Sequence, residues 1–141
     1  MNTYLYIGNN DTELVLPNGS RQQIALGIDS LCRQHLRHNP PSEYDWETAI
    51  ITVEDAIAPL RALLPPHSVL HLPDSELRLL ADAKRMLHRD ALEQTFQRIS
   101  RYGSAPGLPD NNAFFALLLI TREWLHHMDF PFAVLDEPRA A

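Results

Sequence analysis

Residues 4–26 read YLYIGNNDTELVLPNGSRQQIAL. Tyr4 to Ile7 is rich in strand-forming residues, and Gly8-Asn9-Asn10-Asp11 follows as turn chemistry. Glu13 to Leu16 is a second short run. Pro17-Asn18-Gly19-Ser20 then carries Asn-Gly, the strongest short hairpin signal because both residues tolerate φ > 0. Arg21 to Leu26 completes a three-stranded antiparallel meander. Three strands need a helix against one face to be stable, so the remaining chain should supply helices.

Gly27 breaks the third strand, and Asp29 or Ser30 can cap a helix with Ile28, Leu31, Cys32 and Leu36 on one face. Asn39-Pro40-Pro41 ends it. Ser42 caps the clearest helix, with Glu43, Asp45 and Glu47 where the helix dipole favours negative charge. Trp46, Ile50, Val53, Ile57, Leu60 and Leu64 recur on one stripe of it, and Pro59 should kink or break it. His67 to Leu72 reads as a short strand or an extended link. Pro73 opens a helix to about Ala83, and Met86, Leu87, Leu92, Phe96 and Ile99 keep helical spacing to Tyr102, in one run or restarted at Asp90. Gly103 suits a left-handed helix end. Residues 103–110 (GSAPGLPD) form a loop, and Asp110 or Asn111 caps a last helix from Asn112 to His127. Phe132 to Leu135 is a final strand or an apolar tail, and Glu137 to Ala141 should fray. The expectation is an α+β fold in one domain, residues 1–141. It has an N-terminal three-stranded antiparallel β-meander (1–27), a four- to five-helix single-core region (28–130) and a tail (131–141).

Composition narrows the function classes. The chain has 141 residues, 45% of them hydrophobic, and a net charge of −6 at pH 7, which fits one core and argues against disorder. Acidic character counts against sequence-independent nucleic-acid binding and against docking on anionic lipid. Lys84 is the one lysine among 12 basic residues, as in a GC-rich bacterial genome. Cys32 is the single cysteine, excluding an internal disulfide; its helical spacing with Leu31 and Leu36 makes it a core residue. The N-terminus lacks a signal-peptide pattern, and the longest apolar run, Ala113 to Ile120, is far short of the roughly 20 residues of a membrane span. A cytoplasmic location is expected.

The chemistry-bearing motifs are sparse. There is no Walker A sequence, no Gly-x-Gly-x-x-Gly and no nucleophile elbow, so no cofactor is expected. Seven histidines raise the question of metal. Glu123 and His126 have the i, i+3 spacing of carboxylate–histidine ligands in helical di-iron proteins. His67 and His71 share a face on either a strand or a helix. These four are the candidate metal ligands. The acidic stripe Glu43, Glu47, Glu54 and Asp55 reads as a solvated face before it reads as a cation site. The basic group Lys84, Arg85, Arg89, Arg98 and Arg101 is interrupted by acids and reads the same way.

Association gives the strongest signal. Ala113 to Ile120 is apolar on every side of two helical turns, so the helix should be buried all round. One stripe faces the core; the other requires another element or another subunit. Phe115, Leu119, Arg122 and Trp124 are the candidate interface residues. The leading expectation is therefore an accessory, assembly or inhibitory subunit acting by protein–protein contact, as a homodimer. The alternatives are a metal-dependent enzyme or metal-binding protein using the His/Glu residues, and a small-ligand carrier with a pocket by the 103–110 loop lined by Phe114 and Trp124.

Overall fold

The computed structural model describes residues 1–138. The meander forms: β1 (Asn2–Ile7), β2 (Thr12–Val15) and β3 (Arg21–Ile24) pair antiparallel in sequence order. Alternation decides which face is covered. Thr3 and Leu5 on β1 and Thr12 and Leu14 on β2 are buried, whereas Tyr4 and Glu13 are half-buried and Tyr6 is exposed.

The sheet does not stop at three strands. β4 (Val69–Leu72) runs parallel to β1, and β6 (Phe132–Leu135) parallel to β4. β5 (Met86–His88) closes the far edge antiparallel to β6. The spatial order is β3-β2-β1-β4-β6-β5. The expected α+β meander-plus-bundle is corrected to a mixed α/β architecture with, among the described residues, one six-stranded sheet and four helices. The run that reads as strand or link and the run that reads as strand or tail are the central parallel strands. Each is four residues long, too short for periodicity to identify, and its partners are distant in sequence.

α1 (Ile28–Gln34) packs tightly on the β1–β2 turn. The amide of Ile28 donates to Gly8 O at 2.9 Å, and those of Asp29 and Ser30 donate to Asn9 O at 2.8 and 3.1 Å. A Cβ on Gly27 would lie 2.4 Å from the Asn9 carbonyl group and 2.5 Å from the Asn10 nitrogen. Only glycine permits that approach.

α2 (Glu43–Ile57) begins with a reciprocal capping box. The Asp45 amide donates to Ser42 Oγ, and the Ser42 amide donates to the Asp45 carboxylate. At Pro59 the chain tightens into a 3₁₀ segment, Ala58–Leu63, as the proline requires. α3 (Arg89–Tyr102) ends on Gly103 at φ +82°. The expected helix from Pro73 is only a 3₁₀ turn, Glu76–Leu80. Asp82 then accepts from the Lys84 and Met86 amides, turning the chain into β5.

α4 (Asn112–His127), capped by Asn111, is the hub of the helical layer and contacts α1, α2 and α3. Its apolar surplus is absorbed within one chain: Phe115, Leu119 and Trp124 are all 0% exposed. That corrects the interface expectation for these three residues. No helix among the described residues is long and apolar enough to cross a membrane. Of the expected frayed tail, residues 139–141 lie outside the described part.

Candidate functional site

In open sheets with parallel strands, ligands bind outside the carboxyl ends, where strand connections diverge. Here β1 turns back into β2 while β4 and β6 continue on its other side. The carboxyl end of β4 leads into Pro73, Asp74 and Ser75, and that of β6 into Asp136. The Asp136 amide donates to Leu72 O at 2.8 Å, holding the two exits together. A small cavity of about 140 Å³ lies here, lined by Ile7, Ile28, Leu72, Asp74, Ser75 and Leu117 among others.

One cation is built into this end. Arg85, held at φ +61° in the turn before β5, donates from Nη2 to Asp74 Oδ1 at 2.5 Å and to Asp136 O at 2.7 Å. Its Nε donates to Leu135 O at 3.1 Å. The Asp136 side chain accepts from the other side. His71 Nδ1 lies 3.0 Å from Asp136 Oδ1, Nε2 lies 3.1 Å from Asn2 Oδ1, and the ring stacks on Tyr4 at 5.0 Å. The basic run that reads as a plain exposed face thus contributes a half-buried arginine fixed between the Asp74 carboxylate and the main-chain carbonyls of Leu135 and Asp136. His71 takes its place beside Asp136, not in a three-ligand cluster.

A second cluster lies in the helical layer. Glu123 on α4 is 1% exposed. Its Oε1 accepts from Arg122 Nη1 at 2.5 Å. Its Oε2 lies 2.9 Å from His127 Nε2, one turn further on, and that nitrogen is 3.5 Å from Glu54 Oε1 on α2. Glu54, Glu123 and His127 form the one group of three possible metal ligands among the described residues, with donor atoms within 4.8 Å of one another. Burial pushes the Glu123 carboxyl above its usual range, against the opposing charges of Arg122 and His127. Glu93 on α3 is held below its usual range by the Arg122 guanidinium.

The sequence therefore singled out Glu123 with the wrong neighbour. Residues four apart share a helix face most closely here, so His127 meets Glu123, and exposed His126 only packs edge-on against the His127 ring. Arg122 is a half-buried link between Glu93 and Glu123 and lies 4.3 Å over the Phe96 ring. His67 sits at φ +62° on the rim of a cavity of about 540 Å³ at the amino ends of β4 and β6. Of that cavity's ionisable lining, Asp129 is already paired with Arg89. A cavity does lie beside residues 105–108, but Phe114 and Trp124 are buried and neither lines it.

No family model and no curated sequence matches this chain. Solved structures do. The Aquifex aeolicus PPX-GPPA enzyme superposes with a TM-score of 0.76 over 96% of this chain and 52% of its own, at 15% identity. An exopolyphosphatase-like protein gives 0.69 at 14% identity over 96% and 55%. An exopolyphosphatase from Cytophaga hutchinsonii gives 0.60 at 14% identity over 96% and 51%. The chain has the fold of part of these proteins and spans about half their length. This overturns the expectation of an accessory, assembly or inhibitory subunit. That expectation rested on an unrecognised fold and on an apolar surplus that the core absorbs.

Proposed function

We propose that this chain is an enzyme component acting on phosphate esters or phosphoanhydrides at the carboxyl ends of β1, β4 and β6. One observation carries the reading. Asp74, Asp136 and Arg85 converge at that end of a sheet whose fold is shared with Ppx/GppA phosphatases and exopolyphosphatases. Phosphoryl transfer needs positioning and charge neutralisation more than covalent chemistry. Arg85 is a fixed planar donor suited to phosphoryl oxygens. Asp74, beside it, would orient a water for in-line attack on phosphorus and accept its proton. The new P–O bond then replaces the bond to the leaving oxygen, which takes a proton. The match to about half of each neighbour makes activity of these 141 residues alone part of the proposal.

The test is phosphate release by the purified chain from p-nitrophenyl phosphate and from inorganic polyphosphate, with Mg²⁺ or Mn²⁺ supplied. Release above the buffer blank, lost in a folded Asp74→Asn variant, is the expected result. No release across pH 6–9 from either substrate, or release unchanged in Asp74→Asn, would overturn the reading.

A further inference from the structure

We propose that Glu54, Glu123 and His127 hold a divalent first-row metal ion, zinc by the chemistry of the donors. The site lies in the helical layer, independent of the strand-end site.

Three observations carry this. The first is the Glu123 carboxylate, almost wholly enclosed, whose Oε2 has no hydrogen bond. A buried acceptor left without a partner is costly and rare. The second is the imidazole beside it. His127 Nε2 comes within 2.9 Å of Oε2 and 3.5 Å of Glu54 Oε1, without satisfying Oε2 by a well-formed hydrogen bond. A protonated histidine bridging two carboxylates would aim its proton at one of them. A nitrogen this close to two carboxylates suits a third atom shared by all three. The third is spacing. Ligands at about 2.0–2.2 Å from a tetrahedral ion lie roughly 3.3 Å from one another. The observed approaches of 2.9 and 3.5 Å bracket that distance, with every donor pair within 4.8 Å.

The supporting frame is rigid. Glu123 and His127 are one turn apart on α4, and Glu54 comes from α2, which packs against it. Arg122, itself anchored by Glu93, fixes the other Glu123 oxygen, the outer contact that orients a ligating carboxylate. One imidazole nitrogen with two carboxylates is a donor set for zinc, and an open fourth position would be left to water.

Calorimetric titration of the metal-stripped full chain with zinc chloride at pH 7.5 tests the site without any substrate. One ion per chain is expected. Glu54→Gln removes a half-exposed ligand and His127→Asn the nitrogen; each should weaken binding at least tenfold while melting of the metal-free protein confirms the fold. No saturable binding by the wild type, or wild-type affinity in either folded variant, would overturn the assignment. The phosphatase reading stands or falls separately, on phosphate release and Asp74→Asn.

Discussion

Arg122 on α4 donates from Nε to Glu93 Oε2 on α3 at 2.5 Å and from Nη1 to Glu123, so one guanidinium ties two helices together over the Phe96 ring. Removing a partner from a buried charge costs more than the pair itself contributes. Arg122→Ala would leave Glu123 enclosed with only His127 beside it and should lower stability by about 3 kcal/mol. Glu93→Gln leaves the Arg122–Glu123 contact in place, and Glu93 is partly exposed, so its loss should be about 1 kcal/mol or less. Urea denaturation of both variants checks the order; equal losses would mean that Arg122 does not compensate Glu123.

Leu119→Glu distinguishes core from interface directly. Leu119 is 0% exposed within one chain, so a carboxylate there has neither water nor a partner. The variant should be unfolded or insoluble, as followed by circular dichroism and sedimentation. A folded, soluble monomer would return this face of α4 to the surface.

Gly27→Ala probes the seam between meander and helices. The added Cβ would meet backbone atoms at 2.4–2.5 Å, which no side-chain rotation can relieve. A loss of about 2–3 kcal/mol is expected, at the upper end of overpacking costs. Gly107, where nothing lies within 4 Å of a Cβ but φ is +79°, should lose only about 1 kcal/mol on the same change. A reversed order in thermal melting would contradict the packing.

Asp45 makes stability depend on acid. Burial alone would raise its pKa. Hydrogen bonds from the His38 side chain, from Ser42 and from the His38 amide outweigh that and hold it below the usual carboxylate value. A depressed folded pKa adds stability above the unfolded value, near 4, and that stability is lost as pH falls through the folded pKa. Asp45→Asn should therefore be less stable than wild type at pH 7, with the gap narrowing below about pH 4. Melting temperatures across pH 2.5–7 would show a constant gap if Asp45 carried no such linkage.

How much of this was legible in the sequence depended on how local the cause was. The β1–β3 hairpins, the Ser42 and Asn111 caps, the Gly103 stop and the Pro59 break follow from residues within a few positions of each other. β4 and β6 are strands whose parallel partners lie more than 60 residues away in sequence, and a four-residue apolar run cannot announce such pairing. Met86–His88 kept the spacing of α3 until β6 and the Asp82 turn made it an edge strand.

The candidate sites divided in the same way. Glu123 stands out in the sequence through its i, i+3 spacing with His126, but its partner Glu54 comes from another helix and belongs there to a stripe that reads as solvated. Asp74 and Asp136 carry no local signature at all. They become neighbours because strand order places β4 beside β6.

The contact between α1 and the β1–β2 turn has an electrostatic consequence. The first amides of a helix are its positive pole and its usual handle for anions. In this chain the Ile28, Asp29 and Ser30 amides are already bound to the Gly8 and Asn9 carbonyls. Attraction for a phosphorylated ligand at that end then falls to the Arg85 guanidinium, and binding there should weaken as ionic strength rises.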